Sequence, residues 1–117
     1  MNVKALNEAT TLFVYGSLRD PVRRQEIIGR QVSTTPATLH GYMIGRARYF
    51  FVRRCQGMDT RGLLLLNLTP RDFKALDAYE EVPRLYTREK VAVVDDRGSV
   101  IPCWVYLPTA LAISGEE

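Results

Sequence analysis

The stretch Thr69-Pro70-Arg71-Asp72-Phe73-Lys74-Ala75-Leu76-Asp77-Ala78-Tyr79-Glu80-Glu81 reads as one amphipathic helix set between β-prone runs. Thr69 suits the N-cap, Pro70 the first helical position and Asp72 the positive first turn. At roughly 100° per residue, Phe73 and Leu76 mark the stripe that faces the core. Glu80 falls on that stripe between them, where an apolar side chain is the rule. Glu81, one step further round, points toward solvent. A carboxylate in an apolar setting resists ionisation, so its pKa rises toward the range useful to a general acid or base. The plainer alternative is that the helix frays near Val82-Pro83 and Glu80 reaches water.

On either side of this helix the chain is mostly short β segments. Thr11-Leu12-Phe13-Val14-Tyr15 is a compact apolar run suited to a buried first strand, and Gly16-Ser17 breaks it. Asp20 to Gly29 reads as a short helix, capped by Asp20, opened by Pro21 and stopped by Gly29. Two or three short β segments follow, around Ala37–Met43, Arg46–Val52 and Gly62–Leu68, with Gly41, Gly45 and Gly57 marking bends between or within them. Beyond Val82-Pro83, Tyr86 to Asp95 and Val100 to Leu107 form a hairpin across the turn signal Asp96-Arg97-Gly98. Pro102 in the second arm calls for an edge position or a bulge. The tail from Thr109 to Glu117 is expected to be loosely ordered. The order of elements predicts an α+β fold: a small mixed β-barrel with flanking short helices.

The chain has 117 residues, enough for a single domain spanning 1–117, with a core at about 11–108 and flexible termini. A hydrophobic fraction of 46% with 25% charged residues suits a soluble globular protein. No apolar run reaches the length of a membrane span, and the N-terminus lacks the apolar stretch of a signal peptide, so the expected location is cytoplasmic with no membrane partner. The net charge is +3, carried mostly by arginine. Arg23-Arg24 and Arg53-Arg54 could touch phosphate, but no nucleic-acid motif accompanies them and no nucleic-acid partner is expected. Cys55 and Cys103 form no Cys-x-x-Cys unit, which favours reduced, structural thiols. With one histidine, His40, and two distant cysteines, no metal site is expected.

A second candidate site is Val14-Tyr15-Gly16-Ser17-Leu18. A strand that ends in a Gly-Ser loop exposes backbone N–H groups that can hold a carboxylate or an oxyanion. Ser17 lacks the flanking glycines of a nucleophile elbow, and only His40 could serve as its base. No Gly-Lys-Ser or Gly-Lys-Thr marks a phosphate loop. Tyr15, Tyr42, Tyr49, Tyr79, Tyr86 and Tyr106 are either core and rim tyrosines or the lining of a small polar pocket.

Two motifs in this order, Phe13-Val14-Tyr15-Gly16-Ser17-Leu18 and Leu76-Asp77-Ala78-Tyr79-Glu80 with the following Val82-Pro83 and Leu85-Tyr86-Thr87-Arg88, resemble the gamma-glutamylcyclotransferase-like family. The similarity includes its gamma-glutamylamine cyclotransferase and AIG2-like branches and spans roughly Leu12 to Pro108. The resemblance implies a small barrel fold, with Glu80 as catalytic general acid/base. It further implies Tyr15, Gly16, Ser17 and Leu18 as the substrate-binding loop, and Tyr86 shaping the pocket. The implied reaction releases 5-oxoproline and a free amine from a gamma-glutamyl amine or amino acid by intramolecular aminolysis, with no cofactor. The alternative is a non-catalytic module that binds such a metabolite. The partner would be the small-molecule gamma-glutamyl substrate, in a monomer or homodimer. One departure concerns Arg48-Tyr49-Phe50-Phe51-Val52-Arg53-Arg54, which lacks the family's frequent Tyr-Pro pair; that segment is expected to shape the pocket wall and substrate choice.

Overall fold

The computed structural model describes residues 7–47 and 49–114. Five strands, β1 (Leu12–Val14), β2 (Thr34–Arg46), β3 (Phe50–Leu65), β4 (Tyr86–Asp95) and β5 (Val100–Pro108), close into a barrel in the order β1-β3-β2-β4-β5. Three helices flank it: α1 (Pro21–Ile28), α2 (Pro70–Tyr79) and α3 (Ala110–Ser114). Neighbouring strands are antiparallel except for β1 and β5, whose parallel pairing of Leu12 with Trp104 and Phe13 with Val105 closes the barrel.

Strand alternation divides the apolar residues into two cores. Phe13, Ala37, Leu39, Val52, Leu64, Val93, Ile101, Cys103 and Val105 come from all five strands and fill the barrel. Leu12, Val14, Leu65, Tyr86 and Tyr106 face the other way, against Phe73 and Leu76 of α2 and Ala112 of α3. β1 is therefore covered on both faces, which explains why its run is apolar without alternation. Its fit is close. A Cβ on Gly62 of β3 would stand 2.3 Å from the Val14 carbonyl oxygen and 2.7 Å from the Phe13 ring.

The helix boundaries follow the capping residues. Asp20 accepts from the Val22 N–H and Gly29 ends α1 with φ 83°. Thr69 and Asp72 form a reciprocal capping box at the start of α2. Buried Asp72 also pairs with Arg30. Burial alone would raise the Asp72 pKa, but Arg30 and the Thr69 N–H outweigh it and hold the carboxylate below its usual range.

Three sequence expectations are corrected. The segments 37–43, 46–52 and 62–68 belong to two long strands instead of separate short ones, and 46–52 contains the turn between them. That turn reads Arg-Ala-Arg-Tyr-Phe and has no glycine, proline, asparagine or aspartate to announce it. Gly41 and Gly57 do mark the ladder's irregularity, at φ 82° and 85°, whereas Gly45 gives room to the Phe51 ring rather than a bend. The helix expected through Glu81 ends at Tyr79, with Glu80 as its C-cap. Part of the expected loose tail is α3, with Ala112 buried; Gly115, Glu116 and Glu117 lie outside the described residues, as does Arg48. Pro102 pairs with Ala92 of β4 and lies beyond the part of β5 that β1 reaches, in keeping with an edge position.

Candidate active site

A cavity of about 450 Å³ opens where the end of β1, the end of α2 and the turn between β2 and β3 meet. Tyr15, Gly16, Ser17, Leu18, Glu80 and Tyr86, the residues singled out from the sequence, all line it. Also in the wall are Arg23 of α1, Arg46, Tyr49 and Phe50 around the hairpin turn, Tyr79, Glu81, Leu85, and Tyr106 of β5.

Glu80 owes its position to the way α2 stops. Its N–H still bonds to the Leu76 carbonyl at 2.9 Å, so its side chain keeps the helical phase of Phe73 and Leu76. The Glu81 N–H then reaches the Ala78 carbonyl at 3.2 Å and the Val82 N–H reaches that of Asp77 at 3.0 Å. This is the Schellman arrangement, with Glu81 in the left-handed region at φ 53°. The chain turns sharply there. Glu81 is exposed and its carboxylate pairs with Arg84 at 3.1 Å.

The Glu80 carboxyl is partly buried and has no hydrogen-bond or ion-pair partner among the described residues. Desolvation pushes its pKa up to about 7. The negative end of the α2 dipole acts in the same direction. Tyr15, Tyr86 and Tyr106 are close enough to feel the Glu80 charge, and burial first, with that charge added, raises all three phenols. They remain protonated, and each donates to a fixed acceptor. Tyr15 donates to the Tyr106 carbonyl at 2.7 Å, Tyr106 to the Asp77 carboxylate at 2.7 Å and Tyr86 to the Phe50 carbonyl. Tyr86 thereby ties the hairpin turn to the barrel mouth.

The Gly-Ser loop forms a 3-10 turn, Ser17–Arg19. The N–H groups of Ser17 and Leu18 open that turn and have no acceptor within it, nor is one paired with them among the described residues. The Ser17 hydroxyl is 2.7 Å from the Tyr79 hydroxyl. His40 bonds to Asp59 across β2 and β3 and is not in the cavity wall, so it does not serve Ser17 as a base. The Leu18 side chain packs into the core, leaving its main chain as its contribution to the cavity.

Sequence reasoning did not place Arg23, Arg46 or Leu85 in the site, and could not rank the tyrosines. Of those, Tyr42 stays outside the cavity while Tyr15, Tyr49, Tyr79, Tyr86 and Tyr106 line it. The one usable signal was the departure at 48–54, expected to shape the wall; Tyr49 and Phe50 are wall residues. No described helix is long and apolar enough to cross a membrane.

Residues 12–116 match the sequence pattern of the family described as gamma-glutamyl cyclotransferase, AIG2-like. A Methanocaldococcus jannaschii protein, named gamma-glutamylcyclotransferase and candidate RNase, is 29% identical over 110 residues, which cover 89% of this chain and 48% of that protein. The chain thus spans about half the length of this curated relative. An Arabidopsis thaliana protein of known solution structure superposes with a TM-score of 0.77 at 26% identity, covering 86% of this chain and 69% of its own. A structure named gamma-glutamyl cyclotransferase gives a TM-score of 0.76 at 18% identity, with 86% and 66% covered, and shares the fold.

Proposed function

The chain belongs to the gamma-glutamyl cyclotransferase, AIG2-like family, and from that premise we propose that it releases 5-oxoproline and a free amine from gamma-glutamyl amides, with Glu80 as general acid/base. The observation that carries the reading is the Glu80 carboxyl, unpartnered in the cavity wall with its pKa at about 7. A carboxyl poised near neutrality exchanges protons readily in both directions.

In this mechanism the gamma-glutamyl chain folds back so that its α-nitrogen meets its own γ-carbonyl carbon. Ring closure to five members is favoured once that geometry is held. The α-nitrogen arrives as ammonium, and ionised Glu80 takes one of its protons. The amine attacks, a C–N bond forms, and the carbonyl oxygen becomes an oxyanion. The Ser17 and Leu18 N–H groups are suited to hold either that oxyanion or the substrate's α-carboxylate. Protonated Glu80 then delivers its proton to the leaving nitrogen, the oxyanion collapses back to the carbonyl as the old C–N bond breaks, and the ring nitrogen gives one of its two protons to the released amine and keeps the other. The buried tyrosines, each donating to a fixed acceptor, hold the cavity wall in place.

The test is a panel of gamma-glutamyl amines assayed for 5-oxoproline, with Glu80→Gln alongside. Release by the wild type, reduced about 10²–10⁴-fold in the variant, is the expected result. Undiminished release by a folded Glu80→Gln would overturn the assignment of Glu80. Silence of the wild type, with ligand-induced thermal stabilisation by a panel member, would replace catalysis with binding.

A further inference from the structure

Resting on the cyclotransferase reading, we infer that Arg23 and Arg46 select substrates whose leaving amine itself carries a carboxylate. Both side chains line the cavity but stand on different elements from Glu80 and from the Ser17 loop. Neither has a place in the proton transfers at the reacting nitrogen. Each is held in a way that leaves donors open. Arg46 lies over the Phe50 ring, 4.9 Å from its centroid, and has no ion-pair partner among the described residues. A guanidinium stacked by its face keeps its N–H edges available to a carboxylate. Arg23 donates one N–H to the Tyr79 hydroxyl at 3.2 Å and meets the exposed Glu26 at 3.5 Å, which leaves other donors of its fork unused.

Apart from the exposed Glu26 beside Arg23, the charges around the opening do not offset this pair. Glu81 is matched by Arg84 at 3.1 Å. Glu80 sits against the buried tyrosines, its pKa near neutrality, and is committed to the reacting nitrogen. An ammonium-bearing leaving group would meet two cations at the mouth, whereas a carboxylate would meet two forked donors. The favoured class is therefore a gamma-glutamyl amino acid or peptide with a free carboxylate, in preference to a gamma-glutamyl diamine.

Three probes that share the gamma-glutamyl half separate the possibilities: gamma-glutamyl-alanine, its C-terminal amide, and gamma-glutamyl-1,4-diaminobutane. The wild type is expected to favour the acid over the amide by about tenfold in kcat/KM, the effect of one charge-assisted hydrogen bond, and to be slowest with the diamine. Arg46→Gln and Arg23→Gln should each lower the acid-to-amide ratio toward one, while Arg46→Lys should keep part of it. Both positions are exposed, so melting temperatures report whether the variants fold. Equal rates for acid and amide, or variants that keep the wild-type ratio, would overturn this selectivity and leave the cyclotransferase reading standing. No 5-oxoproline from any probe would remove that reading and the selectivity with it.

Discussion

Glu80, the base of the proposed reaction, also raises the local cost of folding. Its carboxyl has a folded pKa of about 7 against 4.5 for the free group, so the folded chain holds the proton more tightly than the unfolded one. For an acid shifted upward, stability falls as pH rises from about 4.5 to 7 and stays lower above. The full penalty is roughly 2–3 kcal/mol by the usual 1.36 kcal/mol per pKa unit, discounted for partial exposure. Glu80→Gln should therefore be more stable than wild type by up to that amount at pH 8, with the gain vanishing near pH 4; urea unfolding at the two pH values checks it. Activity should run the other way, with kcat/KM rising through about pH 7 as Glu80 ionises. The inward phase of Glu80 could be read from Phe73 and Leu76 alone. The absence of a partner could not, because every group that might have paired with it comes from elsewhere in the chain.

At the scale of the element, α2 is held at both ends by recognisable devices, of which the sequence announced only one. Thr69-Pro70-x-Asp72 is a legible start. The stop is a Schellman turn whose left-handed position holds glutamate instead of the usual glycine; Val82-Pro83 marked a break, but without glycine the residue at which the helix ends could not be read. A β-carbon in that conformation costs about 1 kcal/mol, so Glu81→Gly should raise stability by somewhat less than that, after the added freedom of the unfolded chain is subtracted. Chemical denaturation midpoints would register the gain, and the Glu80-dependent activity should survive. The hairpin of β2 and β3 was misread for a related reason. Its turn lacks turn-forming residues, and the glycines that looked like punctuation lie inside the ladder.

For the whole molecule, the barrel class was legible because short β segments outnumbered helices, and because residues 11–15 read as a buried first strand. The cavity was only half legible. Its floor follows from two local motifs, whereas its mouth is assembled from α1, the hairpin turn and β5, which no local pattern ties together. The contact of β1 with β3 gives a sharp test of the packing. Gly62→Ala would drive a methyl group into the Val14 carbonyl and the Phe13 ring, and should destabilise by roughly 2–3 kcal/mol, measured as a lowered melting temperature. The same closure has a temporal side. The Tyr15 hydroxyl is fixed by the carbonyl of Tyr106, 91 positions later, and the barrel shuts only when β5 lies along β1. A chain emerging from the ribosome can form the β2–β3 ribbon early, yet it has no finished cavity until β5 has been made. Completion of the cavity thus waits on its most distant contact, after the local ribbon has formed.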